Sequence, residues 1–251
     1  MPGRSLDENA RVTVTPADDL KRAAAEAAAR RVASGMVVGL GTGSTAIHAV
    51  PYLAARLKSG ELRDIRAIPT SFQSLMLARQ LGIPLVDLDQ IERIDIAIDG
   101  ADEVAPDLTL IKGAGAAQTR EKIIAALADD FTVVVDESKL VERLGSKMPV
   151  PVEVLPFAVG PVTRAIQRLG GEPVLRMAVK KAGPVVTDQG NLVIDARFTE
   201  IPEPAALERA LKLIPGTLEN GLFVGVARRA FVASMVGGAP TIRELLPRSR
   251  P

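Results

Sequence analysis

Asp99, Asp102, Glu103 and Glu121 fall in one stretch of the chain, together with Lys112 and a run of small residues. Carboxylates held close together repel each other. One of them then keeps its proton to higher pH and becomes a base suited to neutral solution. The same acids could hold a hard divalent cation such as Mg²⁺. A lysine beside them can stabilise an oxyanion as it develops. Each group also has a plainer reading. Asp99-Gly-Ala-Asp-Glu103 could be a solvated acidic loop, and Lys112 a surface lysine with its stem on apolar neighbours. Glu121 could simply favour the dipole of a first helical turn.

The elements that carry these groups argue for the chemical reading. Residues 94–98 and 108–111 read as short apolar strands, one ending at Asp99 and the other at Lys112-Gly-Ala-Gly-Ala-Ala117. A helix over 119–128 then holds Glu121 in its first turn. Upstream, the strand 36–40 runs into Gly39-Leu-Gly-Thr-Gly-Ser-Thr45 and a helix over 46–57, kinked or delayed by Pro51. Glycines let the backbone approach an anion, and a helix start supplies free N–H groups. The loop has no Gly-Lys-Ser/Thr of a P-loop, and Ser44 stands where a dinucleotide fingerprint needs its third glycine. It therefore suits a phosphate or carboxylate, or else is only a tight strand-to-helix turn. Asp136 and Lys139 repeat the pattern after the strand 131–135. All these groups follow strands, and ligands of open α/β sheets bind at the carboxyl ends of strands.

Short apolar strands alternating with helices (18–33, 71–81) predict a parallel sheet covered on both faces. Further strands are expected at 65–68 and 84–88. From Met148 the texture changes. Prolines cluster, and strands (152–157, 174–177, a hairpin around 188–191) alternate with helices (163–169, 204–214), as in a ferredoxin-like α+β sandwich. Residues 221–226 and 230–235 read as strands that return to the first sheet. The expected plan is a flexible tail (1–17), a large α/β domain (18–145 plus 219–251) and an inserted α+β domain (146–218).

Composition narrows the chemistry. The 251 residues carry a net charge of +1, which points to neither nucleic acid nor an acidic membrane. There is no cysteine and one histidine, His48, so thiol catalysis, disulfides and His-based metal sites drop out. His48 itself reads as a packed helix residue. No apolar run approaches the roughly 20 residues of a membrane span, and the expected location is the cytoplasm.

Six motifs in series resemble type A ribose-5-phosphate isomerases. They are Gly39-Leu-Gly-Thr-Gly-Ser-Thr-Ala46, Thr70-Ser-Phe-Gln-Ser74, Asp99-Gly-Ala-Asp-Glu-Val104, Ile111-Lys-Gly-Ala-Gly-Ala-Ala117, Thr119-Arg-Glu-Lys122 and Pro151-Val-Glu-Val154. The resemblance spans about residues 18–240. It implies a Rossmann-like three-layer α/β/α domain with an inserted ferredoxin-like lid, assembled as a homodimer or homotetramer. It also implies interconversion of ribose 5-phosphate and ribulose 5-phosphate through a cis-enediolate, without metal or cofactor. By position, Glu121 matches the base, Asp99 the residue of ring opening, Asp102 its neighbour, and Lys112 the cation at the oxyanion. Gly41, Thr42, Gly43, Ser44, Thr45, Gly100, Ala101, Gly113, Ala114, Gly115, Ala116 and Lys139 match substrate-contacting positions. Lys21 aligns with a phosphate-contacting lysine. Ala114 departs from the pattern, since many members carry glycine there.

Competing readings are an amino-sugar phosphate deaminase, a CoA transferase and a non-enzymatic sugar-phosphate sensor. The first would use a well-placed histidine, the second a glutamate nucleophile, the third a basic helix-turn-helix for which the tail is too short.

Overall fold

The computed structural model describes residues 16–248, so most of the expected tail lies outside the described residues. In chain order the first part comprises α1 (Pro16–Ala29), β1 (Val37–Leu40), α2 (Gly43–Ala46), α3 (Ala49–Lys58), β2 (Arg66–Pro69), α4 (Phe72–Gln80) and β3 (Ile94–Asp99). There follow β4 (Glu103–Val104), β5 (Leu110–Ile111), α5 (Gln118–Leu127) and β6 (Ala128–Asp136). A second part holds β7 (Val150–Val154), α6 (Val159–Arg168), β8 (Glu172–Leu175), β9 (Leu192–Arg197), α7 (Pro204–Lys212) and β10 (Thr217–Asn220). The chain ends with β11 (Leu222–Phe223), β12 (Ala227–Val236) and β13 (Ala239–Leu245).

The main sheet has the order β13-β12-β6-β3-β1-β2 and is parallel except at β13. Its central strands β1, β3 and β6 carry buried residues at successive positions because both faces are covered, whereas the edge strand β13 is mostly exposed. Val38, Leu40, Ile96, Ile98 and Val134 pack on one face against α1 and α3. Val37, Ile94, Ala97, Val133 and Val135 pack on the other, with Ile124 of α5. Ala24, Ala25, Ala28 and Ala29 are fully buried, so α1 lies close on the sheet. The helix stops at Ala29, earlier than the sequence suggests. Arg56 explains the stop, because its guanidinium takes the carbonyls of Ala29 (2.9 Å) and Val32 (3.2 Å). Pro51 is accommodated in the first turn of α3, where a missing N–H costs nothing. Before it the chain makes the separate, four-residue helix α2.

Several expected strands fall elsewhere. The run 84–88 makes only a bridge, Leu85 to Ala67, before Asp87 opens a 3₁₀ turn over Leu88–Gln90. β5 and β11 do not join the main sheet. Together with β4 they form a separate antiparallel sheet, ordered β11-β5-β4, and the runs are too short to cross the larger sheet. β13, unforeseen, folds back on β12 through Gly237 and Gly238, both at positive φ (59° and 83°), as a two-residue hairpin requires. The first arm of the 188–191 hairpin shrinks to a bridge between Val186 and Leu192.

The second part has the succession strand-helix-strand-strand-helix-strand and the sheet order β10-β7-β9-β8, all antiparallel. This is the ferredoxin-like arrangement. Its core joins Val152, Ile194, Val162, Ile166 and Leu211 with Ile111 and Leu222 of the small sheet. Polar ties join it to the first part, and several of them use carboxylates. Glu103, fully buried, accepts the N–H groups of Gly145 (2.7 Å), Lys147 (2.5 Å) and Met148 (2.7 Å). Lys122 of α5 reaches Glu208 (3.0 Å) and Glu219 (2.9 Å). Glu153 of β7, also fully buried, accepts from the hydroxyl of Thr119 on α5. Among the described residues no helix is long and apolar enough to cross a membrane.

Candidate active site

Four chain segments meet at the carboxyl ends of β1 and β3. Gly41 follows β1 and donates to the Ile98 carbonyl at 2.9 Å. A Cβ at Gly41 would lie 2.4 Å from that carbonyl and 2.5 Å from Asp99 Oδ1, so only glycine allows the two strand ends to meet. Asp99 ends β3 and is 2% exposed. Its Oδ1 accepts from the N–H groups of Thr42 (3.0 Å) and Gly100 (2.8 Å). Its Oδ2 faces Lys112 Nζ at 3.2 Å.

Lys112, at the end of β5, is the hub. Its Nζ donates to the Gly100 carbonyl (2.5 Å) and lies 3.3 Å from Glu121 Oε2. Lys112 and Glu121 are 3% and 6% exposed, so two carboxylates and one ammonium share a nearly dry space. Among the described residues neither Asp99 Oδ2 nor Glu121 Oε2 has a further hydrogen-bond partner. Burial lowers the Lys112 pKa, but the attraction of Asp99, Glu121 and Asp102 outweighs it and the net shift is upward. Glu121 is pushed up to about 8, first by burial and then by repulsion from Asp99, with Lys112 opposing.

A cavity of about 90 Å³ opens over this cluster. Its wall comprises Thr42, Gly43, Ser44, Thr45, Gly100, Ala101, Asp102, Lys112, Gly113, Ala114, Gly115 and Glu121. Two larger hollows, of about 550 and 820 Å³, lie elsewhere and contain none of these residues. Gly41 and Asp99 sit behind the wall rather than in it. So does Ala116, which is 7% exposed with φ at 58°, a strained setting for alanine. Ala114 lies outside the left-handed region, so its methyl group costs the loop nothing there. Lys21 and Lys139 do not line the cavity. Lys21 lies on α1 within electrostatic reach of His48, and Lys139 ends the 3₁₀ turn Glu137–Lys139 after β6. His48 stands at the junction of α2 and α3, its pKa lowered mainly by burial.

The acidic run divides. Asp99 and Asp102 serve the cavity, and Asp102 Oδ2 accepts from the Ala114 N–H at 2.9 Å. Glu103 turns away to the backbone of 145–148. The anion loop is held from behind. The Thr42 hydroxyl lies 2.6 Å from that of Thr70 and donates to Ser71 (2.7 Å), and Gly43 N–H donates to Gln73 (3.0 Å). The motif Thr70-Ser-Phe-Gln-Ser74 signalled these groups without giving their task. Nothing in the local sequence signalled Arg176, which crosses from beyond β8 to the carbonyls of Gly113 (2.9 Å) and Ala114 (3.0 Å).

Residues 66–237 match the family model described as ribose 5-phosphate isomerase A (phosphoriboisomerase A). Ribose-5-phosphate isomerase A of Thermosynechococcus vestitus is 63% identical over 226 residues, covering 90% of this chain and 96% of that protein. The Synechocystis protein of the same name is 60% identical over 225 residues, 90% and 96% of the two chains. The solved ribose 5-phosphate isomerase A of Methanocaldococcus jannaschii superposes with a TM-score of 0.86 at 46% identity, over 91% of this chain and 99% of that one. A D-ribose-5-phosphate isomerase in complex with phospho-erythronic acid gives 0.88 at 45% identity, over 92% and 100%.

Proposed function

Since the chain belongs to the ribose 5-phosphate isomerase A family, we propose that it interconverts D-ribose 5-phosphate and D-ribulose 5-phosphate, as a step of the non-oxidative pentose phosphate pathway. The observation that carries the reading is the buried set Glu121, Lys112 and Asp99 under a cavity walled by Gly43-Ser-Thr45. A related structure holds phospho-erythronic acid, a phosphorylated sugar acid whose planar carboxylate has the charge of an enediolate.

In this mechanism the Thr42–Thr45 loop takes the phosphate. Asp102, half-buried in the cavity wall, and Asp99 behind it exchange the proton needed to open the furanose ring. Glu121 removes the proton on C2 of the open aldose. The electrons form the C1–C2 double bond and leave the charge on O1, facing the Lys112 ammonium. The O2 proton passes to O1, and Glu121 returns its proton to C1 to give the ketose. A base pushed up to about 8 is suited to both halves of this exchange. The chemistry calls for no metal or cofactor.

The segment 146–218 acts as a lid that keeps water from the enediolate, and the protein works as a homodimer or homotetramer in the cytoplasm. Its partner is the sugar phosphate, with no nucleic acid or membrane. Turnover of ribose 5-phosphate in EDTA, measured beside Glu121→Gln, tests the reading. Rapid ketose formation lost in the variant supports it. Saturable binding without turnover would instead favour a sensor, and turnover abolished by EDTA would assign the acids to a metal.

A further inference from the structure

We propose that Arg176, held by Asp195, is a positioning residue that sets the cavity loop and Asp102 from the second part of the chain. The proposal rests on the isomerase reading of the cavity. Arg176 grips Asp195 of β9 with two nitrogens, Nε at 2.8 Å and Nη2 at 2.5 Å. Its remaining nitrogen, Nη1, donates to the carbonyls of Gly113 and Ala114. The guanidinium is thus used on both sides, and its side chain is only 16% exposed. A planar fork with several fixed donors can do this, whereas a lysine cannot.

The consequence lies on the far side of one peptide group. The Gly113 carbonyl points to Arg176, while the N–H of the same peptide, on Ala114, donates to Asp102 Oδ2 at 2.9 Å. Arg176, the peptide and Asp102 therefore form one line. A cation at the carbonyl end polarises the peptide and strengthens its hydrogen bond to the carboxylate at the other end. The loop that follows Lys112 has no comparable anchor of its own. Gly113 O accepts only from Ala116 N–H besides, at 3.0 Å, and Ala114 and Gly115 are exposed. Burial, Asp99 and Lys112 govern the ionisation of Glu121 and Asp102 adds a smaller repulsion, so a displaced Asp102 is felt at the base.

Arg176→Met, Arg176→Lys and Asp195→Asn test this, with two readouts. The first is steady-state kinetics on ribose 5-phosphate. Arg176→Met should lower kcat roughly 10- to 100-fold, the scale of a small misplacement at a reacting centre, with KM changed far less. Arg176→Lys should recover only part of the loss. The second needs no turnover: the ionisation of Glu121, followed by carboxyl-carbon NMR in the free protein with Glu121→Gln as the assignment control. Without Arg176 it should move toward the ordinary glutamate value, because the repulsion from Asp102 weakens. A wild type inactive on ribose 5-phosphate would overturn the isomerase reading, while the NMR titration would still judge Arg176. Normal kcat and an unmoved Glu121 titration in a folded Arg176→Met would overturn the proposal. So would a lower melting temperature as the only change.

Discussion

Lys112 Nζ stands 3.3 Å from Glu121 Oε2 and 3.2 Å from Asp99 Oδ2, with all three side chains almost wholly buried. One ammonium cannot neutralise two carboxylates, and the site relieves the surplus by retaining a proton on Glu121 to about pH 8. Loss of the carboxylate in Glu121→Gln should therefore lower kcat by about 10²- to 10⁴-fold, the usual share of a general base, with KM little altered. Stopped or coupled assays of ketose formation measure this directly. An active variant would remove Glu121 from the proton transfer.

The pH dependence of kcat/KM should rise to a plateau through about pH 8, following ionisation of Glu121 in the free enzyme. A profile already flat from pH 5 upward would contradict the environment described for that residue.

Stability should show the reverse trend. The native state holds a proton that the unfolded chain releases near 4.5, since Glu121 moves from 4.5 to about 8 on folding. The stabilising contribution of that proton is complete below 4.5 and is lost as pH rises through about 8. Glu121→Gln cannot ionise and should escape the loss. Its melting temperature should gain on the wild type across that window, whereas parallel curves would refute the linkage.

Lys112→Met leaves Asp99 and Glu121 facing each other with no cation between them. Removing one partner of a buried ion pair costs about 3–5 kcal/mol, and the oxyanion loses its counter-charge, worth roughly 10²- to 10³-fold in kcat. Urea denaturation and kinetics on the same preparation separate the two effects. A variant as stable and as active as the wild type would dismiss the lysine from both roles.

Glu153 offers a test remote from the cavity. Besides Thr119 it accepts from the Thr187 hydroxyl (2.7 Å) and the Asn191 amide (3.0 Å). Glu153→Ala strands two buried donors and the half-buried Thr119 hydroxyl, and should cost about 3 kcal/mol or more, seen as a lower urea midpoint. An unchanged midpoint would mean that water replaces the carboxylate.

Much of this was readable beforehand, for physical reasons. Strands buried on both faces must be apolar at successive positions, and Val133-Val134-Val135 cannot be much else. Asp99 sits at a strand end of the main sheet, where the topology puts ligand-facing groups, and the small sheet and α5 bring Lys112 and Glu121 to it. Two-residue strands such as β5 and β11 were misassigned because so short a run carries no sign of which sheet it will join. Lys139 and Lys21 rest on motif position alone, and the cavity wall includes neither. Arg176 was invisible beforehand. Its partners, Asp195, Gly113 and Ala114, are brought to it only by the packing of one part of the chain on the other.

Glu103 has the broadest consequence. It takes the backbone of 145–148 at the point where the chain leaves for the second sheet, and it stands next to Asp102. The run Asp99-Gly-Ala-Asp-Glu103 is thus at once a piece of the cavity and an anchor for the chain that enters the second sheet. Any displacement of the second part would be felt first at this run, beside the cavity wall. Glu103 and Asp102 are adjacent in the chain, so one peptide bond separates the anchor of the second sheet from the cavity wall.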